Sequence, residues 1–332
     1  MITRRGFLKA SLAGGVVAAS PRSALQLLAR PMGTSGPMGW SAISAPLLEV
    51  EPGEKLITIL HTNDTHSQID PLPANDRLYP DKGGVARRAT LVKRVRKENP
   101  NTLLIDAGDV FQGTPYFNFY KGEVEYKSMS LIGYDVGTLG NHDFDNGVDA
   151  LAAAMKFANF DFVSSNYDLR GTPLESRVKP YVVRVIGGVR VGLFGLGISP
   201  DNLITPENFK GVKYNDPVKA AREVVGTLRG PERCTLVIGM SHLGYYPNAA
   251  AGEIGDTQVA AQVDGIDFIA SGHTHTFMKQ PVITKTPSGG NTIIFQVGRS
   301  GIYVGRVDLK MRDGKVVASA GRLLDLRDES LA

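Results

Sequence analysis

The sequence predicts an α/β fold in which polar loops follow buried strands. Two observations lead to this prediction. Short apolar runs rich in β-branched residues alternate with amphipathic helical segments between residues 55 and 270. Clusters of His, Asp and Asn directly follow several of these runs, and the loops that leave apolar strands are where α/β proteins carry their chemistry.

Length and composition leave room for a large core and exclude some functions. The 332 residues fit one large domain or two small ones, with 42% hydrophobic and 21% charged residues. The net charge of +4 weakly favours small anionic substrates and lacks the basic stripe of a nucleic-acid binder, so we expect no nucleic-acid partner. The single cysteine, Cys234, rules out an intramolecular disulfide and is interpreted as a small buried residue.

The N-terminus resembles an export signal. Thr3-Arg4-Arg5-Gly6-Phe7-Leu8-Lys9 matches the twin-arginine pattern, and a weakly hydrophobic stretch follows that is too short to span a bilayer. A disordered basic tail is the alternative, but it does not explain Phe-Leu-Lys after the arginine pair. We therefore expect a signal peptide over residues 1–30, a linker over 31–54, the twin-arginine translocase as a partner during export, a periplasmic or extracellular location and no stable membrane span.

The first two predicted strands each end in acidic residues. A strand over 55–60 leads into His61-Thr62-Asn63-Asp64-Thr65-His66, and in an extended segment Asp64 and His66 would point to the same side and chelate a cation. A capped loop with an Asx-turn is the alternative for this pair. After a helix over 83–98 and a strand over 102–105, Asp109 is the natural bridge between two cations, whereas Asp106 is interpreted as a turn residue.

The third loop, 139–147, holds the densest cluster of polar groups. It follows a predicted helix over 123–132 and a strand over 135–138, and it offers Asn141 as a neutral oxygen ligand and His142 as a titratable group. Asn146, with Asp149 three residues on, is predicted to cap the helix over 147–157. That leaves Asp145 to hold His142 in one tautomer, although Asp145 could cap the helix instead.

Two further strands end in histidines. After a hairpin at Gly187-Gly188 and a helix over 216–228, strands over 235–240 and 266–270 lead to Ser241-His242 and to Gly272-His273-Thr274-His275. His273 and His275 are predicted to share one side, and residues 281–319 read as β-structure throughout.

The polar clusters are predicted to meet at a pair of metal ions. Five of the six histidines follow an apolar strand. Oxygen and imidazole ligands without thiolates suit Zn²⁺, Mn²⁺, Co²⁺ or Fe²⁺. There are enough ligands for two ions, and two ions about 3.5–4 Å apart are used for in-line phosphoryl displacement.

The ordered blocks also resemble a known family. Asp64-x-His66, Gly108-Asp109, Gly140-Asn141-His142-Asp143, Ser241-His242 and Gly272-His273-x-His275 resemble the calcineurin-like metallophosphoesterases over roughly residues 55–310. Residues 59–66 and 140–145 look like the 5′-nucleotidase branch. The resemblance implies a four-layer α/β/β/α sandwich, with two mixed sheets between helices, over residues 55–320, followed by a tail over 321–332.

The resemblance also implies a role for each site residue. Asp64, His66 and His275 would hold the first metal, Asn141, His242 and His273 the second, and Asp109 would bridge both. His142 with Asp145 would stabilise the developing charge or protonate the leaving group. The implied reaction is metal-hydroxide attack on the phosphorus of a small phosphate ester.

The implied substrate is a nucleotide, cleaved as by a 5′-nucleotidase. A 2′,3′-cyclic phosphodiesterase or a UDP-sugar hydrolase would use the same site, and a sulfur-ester hydrolase or a non-catalytic metal-binding protein are further alternatives. Full-length 5′-nucleotidases carry a C-terminal domain that binds the base and the phosphate, whereas this sequence ends at Ala332. We therefore expect either a free-standing phosphatase of broad preference or a separate polypeptide that supplies this domain.

Overall fold

The computed structural model describes residues 46–246 and 253–326. The predicted signal peptide and residues 31–45 of the predicted linker lie outside the described residues. Among the helices in the described part of the chain, none combines the length and apolarity needed to cross a bilayer.

The described segments form fifteen strands and six α-helices. The strands are β1 (Lys55–Thr62), β2 (Thr102–Asp106), β3 (Val136–Gly137), β4 (Asp161–Val163), β5 (Tyr167–Asp168), β6 (Val178–Lys179), β7 (Tyr181–Ile186), β8 (Val189–Gly197), β9 (Lys213–Tyr214), β10 (Leu236–His242), β11 (Phe268–Ser271), β12 (Val282–Lys285), β13 (Asn291–Phe295), β14 (Tyr303–Arg312) and β15 (Lys315–Asp325). The helices are α1 (Val85–Glu98), α2 (Pro115–Tyr120), α3 (Glu123–Ile132), α4 (Gly147–Ala154), α5 (Pro217–Arg229) and α6 (Asp256–Gln262).

The strands pair into two large mixed sheets. The seven-stranded sheet has the order β15-β14-β1-β2-β3-β4-β6. Its strands β1, β2, β3, β4 and β6 run parallel to one another. The six-stranded sheet has the order β12-β13-β11-β10-β8-β7, with β8, β10, β11 and β13 parallel. Strands β5 and β9 form a separate two-stranded sheet.

Side chains that alternate along β1 show how the layers pack. Ile57 and Ile59 belong to the core that the two sheets share, together with Phe194 and Ile238 of the second sheet. Leu60 faces the other way, into the core formed with α1 to α4. Helices α5 and α6 cover the second sheet through side chains such as Leu228. The predicted four-layer α/β/β/α sandwich is thus confirmed.

Local sequence explains several element boundaries. Asp216 caps α5, because its carboxylate accepts a hydrogen bond from Lys219 N at 2.7 Å, and Pro217 occupies the first turn. The hairpin between β7 and β8 turns at Gly187 and Gly188, whose φ angles of 55° and 73° suit a two-residue loop. This hairpin and the helix predicted over 123–132 are confirmed.

Two other predictions of local structure are wrong. Asn146 makes no side-chain capping bond to α4, because its own backbone lies near the helical region. The third strand is two residues long instead of four. Helices α2 and α6 were not predicted, since six and seven residues are too few to show a helical period. Strand β15 runs to Asp325, past the predicted boundary at residue 320.

Candidate metal centre

The register of the parallel strands places the polar loops side by side. Thr62 on β1 pairs with Asp106 on β2, which in turn pairs with Gly137 on β3. In the second sheet, Ser241 on β10 pairs with Ser271 on β11. The loops that follow these positions meet at one edge of the sandwich, and they carry Asp64, His66, Asp109, Asn141, His242, His273 and His275.

The first triad consists of Asp64, His66 and His275, whose ligand atoms lie within 4.8 Å of one another. Asp64 is fully buried, and its Oδ1 lies 3.3 Å from His275 Nε2. His66 Nδ1 lies 3.1 Å from the carbonyl oxygen of Phe111. A proton on Nδ1 would be donated to that carbonyl, which directs the lone pair of Nε2 towards the triad.

The second triad consists of Asp109, His242 and His273, also with ligand atoms within 4.8 Å of one another. His242 is fully buried, its Nδ1 lies 2.7 Å from Ala107 O, and its Nε2 lies 3.1 Å from Asp109 Oδ2. The amide oxygen of Asn141 lies 3.0 Å from His273 Nδ1, which adds a fourth oxygen or nitrogen group to this triad.

The two triads are directly connected. The backbone N–H of His273 donates to both carboxylate oxygens of Asp64, at 3.1 and 3.0 Å. His242 Nε2 also lies 3.9 Å from Asp64 Oδ1. A Cβ at Gly272 would stand 2.8 Å from His242 Nδ1 and 3.2 Å from Asp64 Oδ2, so the two triads close around a position that only glycine fits.

Five of these residues adopt a backbone conformation that is rare outside glycine. Their φ angles are positive, at 50° for Asp64, 48° for His66, 55° for Asp109, 72° for His273 and 50° for His275. The premise that Asp64 and His66, or His273 and His275, lie in extended segments is therefore wrong. Tight left-handed turns bring them together instead, and such strain clusters at functional sites.

The His142 and Asp145 pair lies beside the triads. His142 Nδ1 is 2.9 Å from Asp145 Oδ2, both side chains are about one-third exposed, and the His142 backbone N–H donates to Asp109 Oδ1 at 2.8 Å. The hydrogen bond to Asp145 raises the pKa of His142 above its usual value, while partial burial acts the other way. The pair can therefore hold a proton near the carboxylate of Asp109.

Several other carboxylates and amides hold the loops in place. Asp143 accepts backbone N–H groups of Asp109 at 3.1 Å, Val110 at 3.0 Å and Gly140 at 2.8 Å, so it ties the second loop to the third. Asp106 accepts the N–H of Gly108 and the hydroxyl of Thr62, in keeping with a turn role. These contacts fix the loops before any ligand binds.

Sequence reasoning missed Asn63. Its amide donates to Asp64 Oδ2 and to Gly298 O, while its carbonyl oxygen accepts Val297 N at 3.1 Å. Asn63 thereby joins the first loop to the chain that follows β13. Its position next to a candidate ligand was the only signal in the sequence.

A cavity of about 580 Å³ adjoins the His66 loop. Its lining includes Gln68, Asp70, Tyr116, Phe119 and Tyr120. The Thr114 hydroxyl, also in the lining, donates to Ser67 O at 2.7 Å, which links the cavity wall to the residue after His66. Phe119 is 79% exposed and Tyr120 is 52% exposed. Because α2 was not predicted, sequence reasoning missed this aromatic wall.

The chemistry of the triads fits two divalent cations. Asp64 and Asp109 are buried acids, and no Lys or Arg forms an ion pair with either within the described residues. His242 Nε2 is buried and faces the carboxylate of Asp109, with 3.1 Å between Nε2 and Oδ2. Buried acids that face imidazole nitrogens and no Lys or Arg are costly unless a cation lies among them. The absence of thiolates favours borderline metals such as Zn²⁺, Mn²⁺, Co²⁺ or Fe²⁺.

Known proteins share this architecture. The family model described as calcineurin-like phosphoesterase matches residues 57–277. The 5′-nucleotidase of Rattus norvegicus is 32% identical over 317 residues, which cover 88% of this chain and 53% of that protein. The trifunctional nucleotide phosphoesterase protein of Bacillus subtilis is 31% identical over 293 residues, or 79% of this chain and 18% of that protein.

A solved structure agrees with these relatives. The crystal structure of a 5′-nucleotidase precursor from Thermus thermophilus aligns with a TM-score of 0.72 and 34% identity, covering 82% of this chain and 54% of that chain. The chain thus spans about half the length of the rat and Thermus proteins that it matches.

Proposed function

The chain belongs to the calcineurin-like phosphoesterase family, and on that premise we propose that it hydrolyses small phosphate esters outside the cytoplasm, with nucleoside 5′-monophosphates as its main substrates. The observation that carries the proposal is the pair of connected triads, with the His142 and Asp145 pair beside them.

We assign the ligands as follows. Asp64, His66 and His275 would hold one divalent cation, Asn141, His242 and His273 would hold the other, and Asp109 would serve both. This assignment is supported by the 4.8 Å clustering within each triad and by the 3.0 Å approach of Asn141 to His273. Two cations bound there would polarise the phosphoryl oxygens and lower the pKa of a water molecule to supply the nucleophile.

We assign His142 as the residue that donates a proton to the leaving group. Its Nδ1 is engaged by Asp145, so Nε2 is the nitrogen that can donate to the departing alkoxide oxygen. The raised pKa of His142 favours the protonated ring that this step requires. The bond from the His142 backbone N–H to Asp109 ties this residue to the second triad, and the centroid of its ring lies 5.5 Å from that of the His66 ring in the first triad.

The preference for nucleotides is supported by the relatives and by the cavity. Relatives at about 30% identity are named as 5′-nucleotidases. The cavity of about 580 Å³ beside the His66 loop has the size of a small-molecule site, and its exposed Phe119 and Tyr120 rings could stack on a base.

A second candidate activity is hydrolysis of 2′,3′-cyclic nucleotides or nucleotide sugars. The observation in its favour is the Bacillus relative, which is named as a trifunctional nucleotide phosphoesterase. Hydrolysis of these substrates needs the same two cations and the same proton donor. Only the residues around the leaving group would therefore discriminate between them and nucleoside 5′-monophosphates.

Rates on four esters test the proposed substrate. We would reconstitute the purified full chain with each of the four candidate metals and measure kcat/KM on AMP, UDP-glucose, 2′,3′-cAMP and bis-p-nitrophenyl phosphate. The proposal expects AMP to give the highest kcat/KM, with the His142→Ala variant as the inactive control. A higher kcat/KM on any of the other three esters would replace AMP as the proposed substrate. If no ester is hydrolysed, the proposed phosphoesterase activity itself is contradicted.

Export is tested separately. The motif Arg4-Arg5 supports the twin-arginine route. The native chain expressed in a host with this pathway should reach the periplasm, and the paired change Arg4→Lys and Arg5→Lys should retain it in the cytoplasm. Export of the paired variant at the wild-type level would count against this route.

A further inference from the structure

Gln296 is a fully buried amide that the proposed chemistry does not use. It follows the last residue of β13, and its side chain has no solvent exposure. Its Nε2 donates to Ser271 Oγ at 2.7 Å and to Gly272 O at 2.6 Å. Its Oε1 accepts from Thr274 Oγ1 at 3.0 Å and from the backbone N–H of Thr276. Both ends of the amide are therefore engaged.

Within the described residues, all four hydrogen bonds of the Gln296 side chain fall on one short segment, 271–276. The contacted residues bracket His273 and His275 on either side. His273 belongs to the second triad and His275 to the first, so one amide fixes the loop that serves both. The left-handed φ angles of the two histidines, 72° and 50°, need such external support, because a residue other than glycine does not hold them by itself.

The contact with Ser271 extends this support to the other histidine strand. Ser271 pairs in register with Ser241, the residue before His242. Asp256, at the start of α6, is fully buried, and its carboxylate lies near the hydroxyl groups of both serines without forming a hydrogen bond to a described residue. A polar layer of Asp256, Ser241, Ser271 and Gln296 thus lies behind three of the candidate ligands.

Only an amide satisfies these contacts. Glutamate could accept from Thr274 and Thr276 but could not donate to Gly272 O, and its charge would be buried beside that carbonyl. Leucine would fill a similar volume, but the Gly272 carbonyl and the Thr276 N–H would lose their hydrogen bonds to the amide.

We propose that Gln296 is a positioning residue that fixes the loop 271–276 so that His273 and His275 are delivered to different metal sites. The inference rests on the proposed ligand assignment. Since residues that orient metal ligands change metal affinity by about 10–100-fold when they are replaced, loss of Gln296 should weaken both sites.

The experiment measures metal affinity and stability together. Apo-protein of the full chain would be titrated with Co²⁺ against a chromophoric chelator, with the Co²⁺ absorption spectrum and the Tm recorded for Gln296→Leu and Gln296→Glu. The matched control is Thr292→Val on β13, the strand that leads to Gln296, which removes a buried hydrogen bond to Ile266 O at 2.8 Å. The inference expects both Co²⁺ sites to weaken about 10–100-fold in the Gln296 variants, whereas Thr292→Val lowers only the Tm.

Two further variants keep the test decisive. Thr274→Val removes a single contact of the amide and should weaken Co²⁺ binding in the same direction by a smaller factor, even if the Gln296 variants do not fold. Unchanged affinity at both sites in Thr274→Val and in every folded Gln296 variant would overturn the inference. His273→Ala tests the ligand assignment itself, because full retention of both Co²⁺ ions there would refute the assignment and the inference that rests on it.

Discussion

The two triads share one chemistry but differ in how firmly the protein holds them. In the second triad His242 has no solvent exposure and its Nδ1 lies 2.7 Å from Ala107 O. In the first triad the His275 side chain is 34% exposed, and within the described residues no hydrogen bond orients it through Nδ1. The second site is therefore firmly held at His242, whereas the first site reaches solvent at His275.

This difference predicts that the two sites bind and exchange metal differently. A ring already held by a carbonyl loses little freedom when a metal binds, whereas a freer ring must be ordered at that moment. We expect the second site to bind metal tightly and the first to exchange it more readily. Because His275 is partly exposed, we expect substrate and water to reach the centre from the side of the first site.

The largest expected effect comes from removing the firmly held ligand. His242→Ala should lower kcat/KM by more than about 10⁴-fold, because charge stabilisation and water activation are lost together. Measured beside it, His66→Ala should be impaired but recover partly at high metal concentration, since its site is the open one. Equal recovery of both variants would break the proposed contrast between the sites.

His142 should affect turnover and leave both triads loaded. His142→Ala should lower kcat by about 10²–10³-fold through the loss of the proton donor, with metal content unchanged. Asp145→Asn, which keeps the shape and removes the charge, should cause a smaller loss. Steady-state kinetics and elemental analysis on the same samples check this, and a loss of metal from His142→Ala would make His142 a ligand or a structural residue.

A chelator should separate the two sites in time. Under excess chelator we expect the first triad to release its metal about 10-fold faster than the second, because no carbonyl holds the His275 ring. Stopped-flow release of Co²⁺ should show two phases, and His66→Ala should remove the fast one. A single phase in the wild type would mean that both sites release their metal at the same rate.

The smallest effect concerns the cavity beside the first triad. Phe119→Ala should lower kcat/KM for AMP about 5-fold, which corresponds to the loss of about 1 kcal/mol of stacking, and should leave ribose 5-phosphate unaffected. Leu131→Ala on α3 is the control, because Leu131 is 88% exposed and lies outside the cavity lining. An equal loss of kcat/KM on AMP and on ribose 5-phosphate would show that the cavity does not bind the base.

The sequence predicted which residues come together at the candidate site better than it predicted their geometry. Polar residues at the ends of apolar strands identified Asp64, Asp109 and His242, because buried strands have a strong local pattern. The left-handed turns at Asp64 and His66 were not predicted, since positive φ is uncommon even for Asp and His, although these residue types adopt it more often than most others.

Long-range contacts were beyond the sequence patterns. The bonds from His273 N to Asp64 join residues 209 positions apart, and they depend on the register of two sheets. Gln296 and Asn63 act through contacts of the same kind, so neither was singled out. The ordered blocks that resemble a family supplied the pairing that local periodicity could not.

Metal content per chain tests the central claim most directly. Elemental analysis of the reconstituted, desalted protein should give two divalent metal ions per chain for the wild type, one for His66→Ala and one for His242→Ala. That result would assign one ion to each triad. A wild-type protein with one ion or none, or two ions in both variants, would contradict the dimetal centre.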